Sequence, residues 1–144
     1  MIFVDTNVLM YAVGRPHPLR EEARGFFAEA VRQRWPLATS AEVLQELVHA
    51  YLPVHRLATL DAAIALAESC IQVVWPVESE DVRHARALIQ THPALGARDL
   101  LHLACCQRRH VARIKTFDRA LAVALGQGPG FTRDCGRRPR PPPA

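Results

Sequence analysis

The sequence predicts an α/β domain, a mostly parallel sheet with helices on its faces, and three observations carry that reading. Short β-rich apolar segments recur at Ile2-Phe3-Val4, at residues 36–39, at residues 71–75 and at residues 111–117. Stretches with helical apolar spacing separate them, giving the order β-α-α-β-α-α-β-α-α-β-α. Strands joined through helices are the signature of a parallel sheet. The chain's 144 residues, 49% hydrophobic and 22% charged, suit one domain with a core of its own.

The elements follow in order. Residues 1–5 form a short apolar strand ending in Asp5. Residues 6–13 have helical spacing, with Val8, Leu9 and Ala12 on one side. Arg15-Pro16-His17-Pro18 breaks the chain, since each proline restricts itself and the residue before it. An amphipathic helix is expected over residues 19–34, with Ala23, Phe26, Phe27, Ala30 and Val31 as its apolar stripe. After the second strand, Thr39-Ser40-Ala41-Glu42 has the pattern of a capping box and opens a helix to Leu52, before Pro53. Another helix is expected over residues 56–69, and Pro76 stops the third strand. Residues 79–91 and 99–109 are helical in pattern, and residues 118–125 form a last short helix. Beyond Leu125, Gly-Gln-Gly-Pro-Gly is a breaker. Phe131-Thr132 is a candidate fifth, edge strand, and residues 136–144 are expected to be a disordered Pro/Arg-rich tail. The division is therefore a domain over residues 1–125 and an appendage over residues 126–144.

Bulk properties exclude several classes. No apolar run approaches the roughly 18–20 residues that span a bilayer. A strand-like segment directly follows Met1 where a secretory leader would place basic residues, so a cytoplasmic protein without membrane attachment is expected. Cys70, Cys105, Cys106 and Cys135 contain no C-x-x-C pair, which argues against a disulfide framework or a zinc site. Of the net charge of +4, residues 126–144 contribute +3, through Arg133, Arg137, Arg138 and Arg140 against Asp134. The remaining +1 does not by itself advertise a nucleic-acid partner. Trp35 and Trp75 border strands and suit packing there or stacking on bases. Arg108, Arg109 and Arg113 form a local basic cluster that suits either phosphate or a solvated face.

Four acids stand out by position. Open parallel sheets bind ligands beyond the carboxyl ends of their strands. Asp5 ends the first strand and Asp118 follows the fourth. Asp99 opens a helix after a loop, and Glu46 sits on the helix after the second strand. Asp5, Asp99 and Asp118 each also fit a helix-capping role. Glu46 fits a solvated helix face less well, being surrounded by Val43, Leu44, Leu47 and Val48. Carboxylates gathered at one rim repel unless protonated or bridged by cations, and Mg²⁺ or Mn²⁺ favours such oxygen donors.

These residues resemble a known family. Met1-Ile2-Phe3-Val4-Asp5-Thr6-Asn7-Val8-Leu9 is similar to the opening of PIN-domain nucleases, especially the VapC toxins of bacterial toxin–antitoxin pairs. Ser40-Ala41-Glu42-Val43-Leu44-Gln45-Glu46-Leu47, Ala97-Arg98-Asp99-Leu100-Leu101-His102-Leu103-Ala104 and Lys115-Thr116-Phe117-Asp118 resemble its later motifs, in order. The resemblance covers roughly residues 1–125 and implies a three-layer α/β/α sandwich with a four- or five-stranded sheet. It further implies Mg²⁺- or Mn²⁺-dependent endoribonuclease activity with Asp5, Glu46, Asp99 and Asp118 catalytic, and Asp5 and Asp99 as direct metal ligands. Asn7 and Thr116 match supporting polar positions. The implied partners are an RNA substrate, a cognate antitoxin and a second copy of the chain.

Two rival readings remain. Glu46-Leu47-Val48-His49 and Asp99-Leu100-Leu101-His102 each put an acid and a histidine three residues apart, as in di-iron helical bundles. That reading needs all-helical spans and two further inward glutamates, whereas Asp5 lies on a strand. His49 and His102 are accordingly read as helix residues with ordinary hydrogen bonds. The other rival is a non-catalytic PIN-like interaction module, which has no chemical reason to keep all four acids.

Overall fold

The structure, a computed structural model, describes residues 1–126. The candidate strand at Phe131-Thr132 and the Pro/Arg-rich tail lie outside them. Four strands, β1 (Ile2–Val4), β2 (Leu37–Ser40), β3 (Val73–Trp75) and β4 (Ile114–Lys115), form one parallel sheet in the order β3-β2-β1-β4. Central β1 pairs Phe3 with both Ala38 and Ile114. All three β1 residues are fully buried, as expected for a strand covered on both faces. The expected fourth strand over residues 111–117 shortens to two residues, because Thr116 and the residues after it turn into the site described below.

Among the described residues seven helices accompany the sheet: α1 (Thr6–Val13), α2 (Arg20–Gln33), α3 (Ala41–Tyr51), α4 (Leu57–Cys70), α5 (Ser79–Ala87), α6 (Ala97–Arg108) and α7 (Arg119–Ala124). They pack in two groups, α1–α4 and α5–α7, which gives the three-layer α/β/α arrangement. The sheet and its mixed setting rule out the di-iron bundle, and His49 faces solvent. The expected capping box at Thr39 is not formed. Buried Thr39 instead donates its hydroxyl to Val4 O at 2.9 Å, and Ser40 caps α3 by accepting from Val43 N. The helix expected over residues 79–91 ends at Ala87.

Both tryptophans pack rather than reach for bases. Trp75 is buried and stacks on Phe3 at 5.5 Å, while Trp35 lies 6.3 Å from Phe26. Lys115, also buried, reaches Glu22 on α2 at 3.0 Å, with its ammonium 4.9 Å from the Phe117 ring centre. Asp81 on α5 is fully buried and holds two members of the basic cluster, Arg108 at 2.6 Å and Arg109 at 2.8 Å. Its other oxygen accepts from Glu78 N at 2.8 Å, completing the α5 cap. Arg109 also lies over the Trp75 ring at 5.2 Å. These two guanidiniums therefore staple α6 to α5 and to the end of β3 instead of offering themselves to phosphate.

The hydrogen bonds and charges of Arg109 and Arg108, with that backbone N–H, outweigh burial and hold Asp81 well below the usual carboxylate range. An acid whose folded pKa is depressed stabilises the fold above its unfolded value, near 4, and loses that contribution as pH falls below it. Asp81→Asn is expected to cost roughly 3 kcal/mol at neutral pH, read by urea unfolding. The parent should lose part of this advantage at pH 3; an advantage undiminished there would contradict the assignment.

Candidate active site

The strand order makes β1 the switch point: the chain builds β2 and β3 on one side of it and returns to add β4 on the other. Asp5 N donates to Lys115 O at 3.0 Å, so Asp5 is the last rung of the β1–β4 ladder. The residue is 5% exposed and both side-chain oxygens are held. Thr6 N donates to Oδ1 at 2.7 Å and the Thr116 hydroxyl to Oδ2 at 2.6 Å. Thr116 Oγ1 also accepts from Asn7 Nδ2 at 3.3 Å and from Asp118 N at 2.9 Å. A hydroxyl has one proton and two lone pairs, so that of Thr116 is saturated. Asn7 Oδ1 accepts from Phe117 N at 3.2 Å, tying the start of α1 to the segment after β4.

Asp118 joins the same segment and caps α7 through Leu121 N at 3.0 Å. Capping and membership of the acidic rim are thus compatible roles for Asp5 and Asp118. Glu46, just over one turn into α3, points back toward β1. Its Oε2 accepts from the Thr6 hydroxyl at 2.8 Å and its Oε1 takes His102 Nε2 at 2.7 Å. His102 lies one turn beyond Asp99 on α6, is 1% exposed, and places Nε2 3.8 Å from Asp5 Oδ1. Its Nδ1 is buried with no partner among the described residues. Asp99 is half-buried at the third position of α6, without a hydrogen-bonded side chain among those residues.

The four acids share one electrostatic neighbourhood. Burial, then the charges of Asp118 and Asp5, push Asp99 up to about 6, with Glu46 adding to the rise and His102 opposing it. Burial likewise raises Asp5 against the pull of His102, Thr116 and Thr6. Burial lifts Glu46 too, but the hydrogen bond and charge of His102 and the bond from Thr6 bring it below its usual value. Burial depresses His102, and the bond to Glu46 with the charges of Asp5 and Glu46 more than reverses it.

Sequence reasoning named these acids and singled out Asn7 and Thr116; it missed His102 and Thr6 as members of the network. The signal for His102 was its three-residue spacing from Asp99, discounted along with the bundle reading. Thr6 gave only its place beside Asp5.

Carboxylates gathered this closely suit a cation. Among the described residues no three His, Cys, Asp or Glu groups close on one point as a preformed cage. The oxygens of Asp5 and Glu46 are engaged by neighbours, while Asp99 stays open. That donor set fits Mg²⁺ or Mn²⁺, because magnesium takes one or two carboxylates and keeps several waters. It does not suit a group that needs many direct protein ligands. A protein nucleophile is not offered by the nearby thiols: Cys105 and Cys106 are buried, and burial pushes Cys105 up to about 11.

Comparison with known proteins places the whole domain. The family described as PIN domain matches residues 2–124. Ribonuclease VapC23 of Mycobacterium tuberculosis is 61% identical over 125 residues, covering 87% of this chain and 98% of that relative. Ribonuclease VapC13 of the same organism is 37% identical over 119 residues, covering 83% of this chain and 91% of that relative. Among solved structures, Mycobacterium tuberculosis VapC20, described as a Sarcin-Ricin loop cleaving toxin, gives a TM-score of 0.67 at 20% identity, over 86% of this chain and 95% of that one. FitAcB from Neisseria gonorrhoeae gives 0.64 at 18% identity, over 89% and 95%. These two share the fold. The sequence matches extend the likeness to nearly every described residue, and the chain belongs to the PIN-domain family, among the VapC ribonucleases.

Proposed function

We propose that this chain is the toxin of a type II toxin–antitoxin pair, a metal-dependent endoribonuclease that hydrolyses RNA where Asp5, Glu46, Asp99 and Asp118 meet. The observation that carries the reading is the gathering of these carboxylates at the carboxyl ends of β1 and β4, with Asp99 pushed up to about 6 by burial and by the other three. A cation relieves that repulsion. Asp5 and Asp99 would hold Mg²⁺ or Mn²⁺, and Glu46 and Asp118 complete the acidic set. When bound, such an ion supplies positive charge beside the scissile phosphate and acidifies water.

The chain's own contribution is preorganisation. Thr6 and Thr116 fix Asp5, while Thr6 and His102 fix Glu46. Asn7 holds the segment that carries Asp118. In-line displacement by water at a phosphodiester then needs no protein nucleophile. The purified chain should cleave RNA with Mg²⁺ or Mn²⁺ and stop on EDTA. Asp5→Asn and Asp99→Asn should each lose at least ~99% of turnover, about 3 kcal/mol of barrier, with circular dichroism unchanged. Robust metal-free cleavage, or near-normal turnover in both variants, would remove the mechanism.

An antitoxin partner suits the same rim, because arginine binds carboxylates in bidentate fashion. A neighbouring FitAcB structure and a toxin–antitoxin complex from Klebsiella pneumoniae share the fold and motivate the test. Co-expression with the adjacent open reading frame should restore growth and yield a complex that no longer cleaves RNA. A neighbour that neither binds nor inhibits would end the toxin assignment and leave the nuclease.

A homodimer is the assembly we propose. Val48 at 40% exposure, Leu52 at 56%, Val54 at 57% and Leu57 at 53% crowd the turn from α3 to α4. One molecule leaves that apolar surface in water. Light scattering should give twice the chain mass, and Leu52→Asp should shift it toward monomer; a strictly monomeric parent at high concentration would contradict the proposal.

A further inference from the structure

A second concavity adjoins the acidic rim and has the opposite character. It is a cleft of 440 Å³ whose wall includes Asn7, Tyr11, Arg15, His17, Tyr51 and Arg56. Among the described residues no acidic side chain lines it. Asn7 belongs to both sites, since its side chain also bonds Thr116 and the Phe117 backbone. The local backbone explains how the far wall forms. Gly14 ends α1 by donating to Met10 O at 2.9 Å, and a Cβ at that position would meet the same carbonyl at 2.7 Å. The glycine lets the following residues fold back, bringing the His17 ring to 4.5 Å from the Tyr11 ring. Tyr11 meets Phe117 edge-on at 5.4 Å on its other side, so aromatic rings lead from beside Asp118 into the cleft.

Arg32, Arg108 and Arg109 are held by carboxylates. Among the described residues Arg15 and Arg56 have no carboxylate within ion-pair distance. The Arg56 guanidinium donates to the Thr59 hydroxyl at 3.3 Å and lies 5.7 Å from the Tyr51 ring centre. Two guanidiniums free of carboxylates, set around rings and beside an acidic rim, complement an anion with a planar attachment. Unpaired nucleotides bind by stacking on aromatic faces while arginine takes the backbone.

We propose that this cleft binds one unpaired nucleotide of the RNA flanking the scissile phosphate. Tyr11 and His17 take its base, and Arg15 and Arg56 take its phosphate. The inference rests on the ribonuclease reading above and deepens it by assigning a substrate subsite. It makes the enzyme selective for single-stranded segments, because a base paired in a duplex cannot reach the Tyr11–His17 rings.

The test uses the full chain with Mg²⁺ and a short single-stranded oligoribonucleotide of mixed sequence. His17→Ala alters an exposed side chain, so the variant should keep the parent's circular dichroism. Its KM is expected to rise about tenfold, the lower part of the range for losing one stacked base, with kcat within twofold. Arg15→Gln combined with Arg56→Gln should also raise KM and reduce the slope of log KM against log salt by roughly 1.4, the signature of two lost single-strand phosphate contacts. The same oligoribonucleotide annealed to its complement should be cleaved at least about tenfold less efficiently by the parent. Unchanged KM and salt slope in variants of a metal-dependent parent would overturn the subsite and leave the nuclease intact. Variants that cleave normally but no longer bind the co-expressed antitoxin would assign the cleft to protein instead. A parent that cleaves no RNA would bring down the nuclease reading and the subsite with it.

Discussion

Like charge, brought together at the carboxyl ends of β1 and β4, is the constraint to which the surrounding structure answers. Two buried or half-buried carboxylates near one another are costly, and this rim gathers four. Asp5 cannot relax away, because its backbone closes the β1–β4 ladder and both of its oxygens are engaged. Glu46 is held equally firmly between Thr6 and His102. The fold therefore keeps the acids in place with the hydroxyl and backbone donors of Thr6 and Thr116 and with the His102 imidazole.

Arg108 and Arg109, at the end of α6, are directed to Asp81 and Glu78, and the buried Lys115 ammonium is directed to Glu22. Each of these pairs carries packing between elements: α5 on α6, and β4 on α2. The centre of the sheet can then be built from fully buried aliphatic and aromatic residues, with polar side chains confined to strand ends. A parallel sheet of four short strands is stable only with helices on both faces, and the two helical groups supply them.

Much of this was legible in the sequence because the elements are short and sharply punctuated. The alternation of β-rich runs with helical spacing gave the order of all eleven elements, and the placement of acids after strands gave the rim. The failures were local competitions among polar groups. Thr39 and Ser40 both suit a helix cap; only the partner strand decides that the Thr39 hydroxyl goes to Val4. Arg108 and Arg109 read as a basic patch because Asp81, their ligand, lies 27 and 28 residues away. His102 read as an ordinary helical histidine because its partner, Glu46, is 56 residues away. Long-range pairing of charged and hydrogen-bonding groups leaves no periodicity in the chain, whereas burial of apolar faces does.

The thiols of α6 carry a consequence of a different kind. Cys105 and Cys106 are wholly inaccessible, and burial raises both, whereas Cys70 at the end of α4 is partly exposed. Electrophiles and oxidants act on thiolate that they can reach. Cys70 is thus open to alkylation in the native molecule, but the adjacent pair is shielded until α6 lifts from the sheet. Since that helix also bears Asp99 and His102, labelling at Cys105 and Cys106 is a clock for excursions that dismantle the acidic rim from behind.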